Sequence, residues 1–366
     1  MVTIQIRSSM GTYDVRFARG ALAQARRLIA SVSGPGELFV LSSPRVWKFW
    51  GRDVTHALGA SSRKVILFDD RESAKRLITI EDIARKLARG GADRHCTLIA
   101  VGGGVVGDVA GFVAATYLRG VRIVHIPTTV VAQVDSAIGG KTGVDLPEGK
   151  NLVGAFYPPK LVIADPEMLR TLPQREYRSG LYEVIKYGII ADAKLFRFLE
   201  TQMDAILRRD RAAVDWIIPR CMAIKARVVT ADERESGLRK ILNFGHTLGH
   251  ALEAATAYKR FRHGEAIAWG MMAATLLGLA TRRTNEADAL RILRLIARVG
   301  PLPSLAGINA AQLRVVVSSD KKNRGGQARW VLAREISKAE WDVQIPWKLV
   351  ARTLAELPRI AARTMR

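Results

Sequence analysis

The sequence predicts an α/β N-terminal domain with a Rossmann-like parallel sheet, followed by an all-α C-terminal domain. Three observations predict this. The 366 residues are enough for two domains at roughly 100–200 residues each. Up to Pro173, short β-rich runs alternate with helical stretches, the pattern of parallel strands joined by crossover helices. Beyond Pro173 the chain reads helical, and Gly and Pro retreat to joints such as Gly300-Pro301. The predicted domains are therefore 1–172 and 173–366.

In order, the strand candidates are Glu37–Leu41, Lys64–Phe68, Thr97–Val101, Arg122–Ile126 and Leu161–Asp165. Ile80–Arg89, between the second and third, is an amphipathic helix, and Asp108–Leu118 is a helix opened by glycines. Pro158-Pro159 and Pro173 punctuate the end of this half. In the second half, Ala193–Leu207, Arg220–Ala231 and Ala266–Arg282 read as helices. There is no internal repeat and no low-complexity segment.

Composition excludes several classes. At 48% hydrophobic and 25% charged, with 31 Gly and 13 Pro, the chain is neither collagen-like, coiled-coil nor disordered. The longest uncharged apolar run, Ala266 to Ala280, falls short of the roughly 18–20 residues a bilayer needs, so no membrane is expected. The start MVTIQIRSSMG lacks the apolar core of a secretory leader. Cys96 and Cys221 lie far apart, with no disulfide or thiolate-metal spacing, which fits a reducing cytoplasm. The net charge of +23 is the unusual number. Its arginines are dispersed (Arg26-Arg27, Arg208-Arg209, Arg282-Arg283) and aromatics are 7%, so nucleic acid is not an expected partner.

Three groups of residues carry chemistry. In Thr97–Asp108, TLIAVGGGVVGD, an apolar strand runs into Gly102, Gly104 and Gly107, a G-x-G-x-x-G spacing that opens a helix. Glycines there let backbone approach a phosphate at a helix N-terminus, although a tight strand-to-helix turn also wants glycine for packing. The stretch departs from the dinucleotide fingerprint: it follows the third strand, and no acidic residue comes about 20 positions later. Next, Asp135, Gly139-Gly140-Lys141 and Glu148-Gly149-Lys150-Asn151 set two lysines and an amide among glycine turns, a composition suited to a dianion.

The third group is the strongest. Of six His, His246 and His250 are i, i+4 in GHTLGH, and His263 begins the next apolar helix. Upstream, Glu183 and Lys186 are i, i+3 in LYEVIKYG. One carboxylate and two imidazoles from separate helices make a three-ligand site with an open position, as a catalytic Zn²⁺ requires. Spacing leaves open which two His take part, and i, i+4 alone favours His246 with His250. Arg239, four residues before Asn243 and seven before His246, would share one side of a continuous helix with them, as a bidentate partner for a carboxylate.

Together, GGGVVGDVAGFVAATYLRG, IPTTVVAQVDSAIGGKTGVDLPEGKNLVGAFYPP, GLYEVIKYG, GLRKILNFGHTLGHA and HGEA resemble the 3-dehydroquinate synthase family of sugar-phosphate cyclases, from about residue 64 to about residue 330. The resemblance implies an NAD-binding α/β domain, a helical domain, one divalent metal (zinc or cobalt) and a homodimer. It implies conversion of 3-deoxy-D-arabino-heptulosonate 7-phosphate to 3-dehydroquinate and phosphate in the shikimate pathway. The route would be transient NAD-dependent oxidation, phosphate elimination, re-reduction and intramolecular aldol closure.

By the same resemblance, Glu183, His246 and His263 would hold the metal. Lys141, Asn151, His250 and Lys322 would hold the phosphate, with Arg119 from a neighbouring subunit. Lys225 and Arg239 would take the carboxylate. Asp135, Lys186 and Asn243 would contact ring hydroxyls, with Lys150 and Glu235 in the same polar network. Gly103, Gly104, Asp108, Thr128, Thr129, Thr171, Leu172 and Glu176 would line the NAD site together with Lys141 and Lys150, and Glu72 and Lys75 would lie toward the adenosine. Two departures fall at that end: Ser42-Ser43 replaces the family's acidic residue, and Asp70-Arg71-Glu72 replaces Asp-Gly-Glu. The alternatives are another sugar-phosphate cyclase, acting on a substrate without a carboxylate, and a metal-dependent NAD alcohol dehydrogenase of related fold.

Overall fold

The structure is a computed structural model that describes residues 1–59, 64–319 and 328–364. Lys322, expected at the phosphate, lies outside the described residues. The chain divides into two compact units, Met1–Pro173 with Ile218–Glu233, and Gln174–Ile217 with Arg234–Arg366. The helical segment Ile218–Glu233 thus belongs with the first unit, although the sequence reading assigned it to the second.

The first unit is built on a seven-stranded sheet. Its strands are β1 (Val2–Ser8), β2 (Gly11–Phe17), β3 (Leu38–Ser42), β4 (Lys64–Leu67), β5 (Thr97–Gly102), β6 (Arg122–Pro127) and, last in the chain, β9 (Leu161–Ala164). Their order across the sheet is β1-β2-β9-β6-β5-β3-β4. Only β1 and β2 are antiparallel, and every other neighbouring pair is parallel. β5 is buried along its whole length, as expected of a parallel strand covered on both faces. Alternation then feeds two cores. Leu98 and Ala100 pack with α3 (Leu77–Arg89) and α4 (Gly104–Thr116), while Ile99 and Val101 face α1 (Ala25–Ala30) and α2 (Pro44–Leu58).

The five strands read from sequence are all present, with ends shifted by a residue. The hairpin β1–β2 was not read. A second hairpin, β7 (Lys141–Leu146) with β8 (Gly149–Phe156), occupies the stretch read as glycine-rich turns and packs Val144 against the α3–α4 core.

The second unit contains α5 (Gln174–Ala191), α6 (Ala193–Leu207), the start of α7 (Arg211–Ala231), α8 (His246–Ala255), α9 (His263–Ala280), α10 (Glu286–Arg298), α11 (Ala310–Ser319) and α12 (Trp347–Thr364). α9 is apolar around its circumference and packs against α5, α8, α10 and α12. One hairpin, β10 (Arg329–Glu335) with β11 (Lys338–Gln344), joins this otherwise helical unit and buries Trp330 and Leu332. α7 starts nine residues before the expected Arg220, because it runs through Pro219; a proline is favoured at a first helical turn and so reads as a start. Among the described residues, no helix is long and apolar enough to cross a membrane.

His125 of β6 is 6% exposed, and burial pushes its pKa down to about 4. The ring lies under α4, where a Cβ on Gly107 would sit 3.6 Å from its Nδ1, an ordinary packing distance. An unfolded histidine titrates near 6.5. Between about pH 6.5 and 4 the unfolded chain binds a proton that the folded chain refuses, so stability falls as pH falls, by on the order of 3 kcal/mol over the window. His125→Leu should flatten this part of the profile. Urea unfolding at pH 7 and pH 4.5 measures it, and equal pH slopes for the two proteins would refute the assignment.

Candidate functional site

Three helices of the second unit bring Glu183, His246 and His263 together. Glu183 is in the middle of α5 and fully buried, and the two histidines are the first residues of α8 and α9. Glycines permit the approach. Gly245, before His246, has φ +80°, and a Cβ there would lie 2.8 Å from Met271 N. A Cβ on Gly270 would lie 1.8 Å from Gly245 O, and one on Gly264 1.8 Å from Ser179 O, so α9 meets α8 and α5 backbone to backbone.

His263 Nε2 is 3.4 Å and His246 Nε2 3.8 Å from Glu183 Oε1. Ligands about 2.0–2.1 Å from a tetrahedral zinc stand roughly 3.3 Å apart, so this donor set fits a divalent cation. The backs of both rings are held: His246 Nδ1 lies 3.1 Å from Phe244 O, and His263 Nδ1 3.2 Å from Glu253 Oε2. Burial, with the Lys186 cation, holds the His246 pKa well below its usual value. Burial also opposes charge on His263, but Glu253 and Glu183 overcome it and push that pKa up to about 10.

Lys186, 1% exposed, pairs with Glu183 one turn away on α5. His250 packs its ring 5.2 Å from His246, yet the donor group around Glu183 contains His246 and His263, not His250. A second group, His250, Glu253 and His263, lies beside it. Glu253 was not singled out in the sequence. The available signal was that it is the only carboxylate between His246 and Tyr258.

Arg239, Asn243 and His246 do not share a helix. Leu238–Asn243 is a 3₁₀ turn, and left-handed Gly245 breaks the chain before α8. Arg239 is nonetheless 2% exposed, and the Asn243 amide donates to Glu235. Glu176 pairs with Arg262 at 2.8 Å, next to the bidentate contact of Arg175 with Glu265; both tie the start of α9 to α5.

The first unit holds the remaining candidates. α4 starts at Gly104, four residues earlier than expected, so Asp108 lies in its second turn. A Cβ on Gly103 would sit 3.0 Å from Thr129 Cγ2, and one on Gly104 3.3 Å from Ser136 Oγ. Bare backbone therefore lies at the N-terminus of a 13-residue helix, a cradle that fits a phosphate of a dinucleotide. The Thr128 amide donates to Gly102 O, and the Leu172 amide to Leu169 O. Thr171 Oγ1 accepts from the Trp50 indole at 2.8 Å.

Buried Lys75 contacts Asp108 at 2.6 Å and Asn151 at 2.5 Å, while Lys150 pairs with Glu72 at 2.9 Å. Burial disfavours the charge on Lys75, but Asp108 and Glu72 outweigh it and raise its pKa. Asp135 pairs with Lys225 at 2.6 Å. Lys141 is exposed at the start of β7, and Arg119 is exposed in a left-handed turn with φ 66°. Ser42 donates to Val101 O and Ser43 caps α2, so both serines of the first departure at the expected adenosine end are engaged in local structure, and Arg71 of the second donates to Asp69 at 2.8 Å.

Comparison with known proteins agrees along the chain. The 3-dehydroquinate synthase N-terminal model matches residues 65–179, and the 3-dehydroquinate synthase C-terminal model residues 180–323. The chain is 47% identical to the 3-dehydroquinate synthase of Koribacter versatilis, covering 98% of each. It is 45% identical to that of Solibacter usitatus, covering 89% of this chain and 91% of the relative. Among solved structures it resembles 2-epi-5-epi-valiolone synthase from Streptomyces hygroscopicus, which has NAD⁺ and Zn²⁺ bound (TM-score 0.86, 28% identity, covering 98% and 99%). It shares a fold with 2-deoxy-scyllo-inosose synthase, solved with carbaglucose-6-phosphate, NAD⁺ and Co²⁺ (TM-score 0.81, 24% identity, covering 97% and 99%).

The glycine contacts can be tested. In Gly264→Ala the new Cβ meets backbone, not a flexible side chain, so the start of α9 must move and take His263 with it. The expected cost is about 1–3 kcal/mol in urea unfolding, with zinc binding weakened at least tenfold. Unchanged zinc affinity would show that the contact does not set the position of His263.

Proposed function

The chain belongs to the 3-dehydroquinate synthase family, and from that premise we propose how its residues divide the work. The reaction converts 3-deoxy-D-arabino-heptulosonate 7-phosphate to 3-dehydroquinate and phosphate. The observation that carries the reading is the convergence of Glu183, His246 and His263 from three helices on one group of donor atoms.

In this reading Glu183, His246 and His263 hold the cation, and the glycine cradle with Thr128, Thr129 and Asp108 holds the dinucleotide; Thr171, Leu172, Glu176, Glu72 and Lys75 complete its lining. NAD and a divalent ion, zinc or cobalt, are the cofactors, and when bound they supply reversible oxidation of a substrate hydroxyl and a Lewis acid to polarise it. Lys186, kept beside Glu183, donates to that hydroxyl and eases loss of its proton. The amide of Asn243, fixed by Glu235, orients a neighbouring hydroxyl. Lys141, Lys150, Asn151, His250 and Lys322 take the phosphate, and their cations stabilise it as a leaving group.

Lys225 and Arg239 take the substrate carboxylate. Asp135 pairs with Lys225 at 2.6 Å and keeps this buried ammonium compensated until a substrate carboxylate displaces that contact. The planar guanidinium of Arg239 suits a two-point carboxylate contact, which a cyclase acting on a substrate without that group would not need. We also assign Arg119 to the phosphate of a second copy in a homodimer. Its support is its exposure in a left-handed turn next to Leu118, which is 48% exposed. We place the enzyme in the cytoplasm, since Cys96 and Cys221 are buried thiols that form no disulfide with one another.

With substrate, NAD⁺ and zinc, the protein should release one phosphate per turnover without accumulating NADH, and chelator should abolish the release. NADH build-up with simple alcohols, or phosphate release from sedoheptulose 7-phosphate alone, would overturn the assignment. Arg239→Lys should lower kcat/KM about 100-fold, roughly 2.7 kcal/mol. An effect under threefold would remove Arg239 from the carboxylate.

A further inference from the structure

Glu253 has no part in the reading above. It lies on α8, two turns after His246 and one after His250, and is 3% exposed. Its Oε2 faces His263 Nδ1 at 3.2 Å, while Nε2 of the same ring is 3.4 Å from Glu183 Oε1. The imidazole is held between two carboxylates from two helices. In the neutral ring that a cation would bind, the one proton sits on Nδ1 against the carboxylate, which leaves the Nε2 lone pair facing Glu183 and His246. His246 has the same arrangement with the carbonyl of Phe244 in place of a carboxylate, so one ring is backed by a dipole and the other by an anion.

The adjacent donor group gives this difference a consequence. His250, Glu253 and His263 also place ligand atoms within 4.8 Å of one another, and both groups need His263. A cation held by Glu253 together with His263 would require the Nδ1 lone pair, which a proton directed at Glu253 occupies.

We propose that Glu253 is a positioning residue that commits His263 to the Glu183–His246 group, by fixing its tautomer and strengthening Nε2 as a donor. This rests on the metal-centre reading above. A hydrogen-bonded carboxylate behind a ligating imidazole typically changes metal affinity by about 10–100-fold.

The test is zinc affinity of the purified metal-free protein, measured by competition with a chromophoric chelator, alongside thermal unfolding of the metal-free form and the visible spectrum with Co²⁺. Glu253→Gln keeps an acceptor and the volume but loses the charge. It should bind zinc about tenfold more weakly and shift the Co²⁺ bands, with metal-free unfolding near wild type. Glu253→Asp, which keeps the charge but withdraws it, should fall between the two. Affinity of Glu253→Gln within twofold of wild type, with an unshifted spectrum, would overturn the proposal. So would zinc binding that survives Glu183→Gln but not Glu253→Gln, since the cation would then belong to the other group. A wild-type protein that binds no zinc would instead remove the metal-centre reading itself, and this inference with it.

Discussion

The site depends on a steric constraint: α9 must lie closer to α5 and α8 than side chains allow. Gly264 against Ser179 O and Gly270 against Gly245 O leave no space for even a methyl group. Backbone contact of this kind fixes helix separation more firmly than interdigitated side chains, which can change rotamer. The three donor residues sit beside these contacts, with both histidines at helix starts and Glu183 in the buried middle of α5. A buried carboxylate beside a buried lysine and two imidazoles is an expensive cluster to assemble, and the apolar bulk of α9 sustains it.

Much of this was legible in the sequence. The parallel strands announced themselves as short β-branched runs between helical stretches, and Glu183, His246 and His263 were visible as chemistry set in apolar surroundings. What periodicity could not supply was the chain path between Arg239 and His246. An even helical spacing suggested one face, whereas Gly245 turns the backbone left-handed and starts a new helix. A glycine tolerates both conformations, and the fold requires glycine here, since a Cβ would meet Met271.

Other features were hidden for different reasons. The hairpin β7–β8 is punctuated by glycines that read as loop, although Gly143 and Gly154 face each other in register where neighbouring strands leave little room. Pairing across a chain is a non-local property. The same holds for Lys75: nothing local joins it to Asp108 and Asn151, 33 and 76 residues away, yet its buried ammonium links them. The glycine motif does lie at a helix start, with Gly104 opening α4, while Gly107 lies inside the helix, where a Cβ would make only an ordinary contact with the ring of His125.

The return of Ile218–Glu233 to the first unit bears on how the chain matures. Thr230 and Glu233 accept hydrogen bonds from the backbone of Arg7 and Ser9, so the opening hairpin is completed by residues made more than 200 positions later. During synthesis at about 5–20 residues per second, the nascent N-terminal half must wait roughly 3–12 s for its last helix. Over that interval its β1 side lacks a native partner. A fragment ended at Pro173 would remain in that unfinished condition, so the two units are separable in contacts but not in translation order.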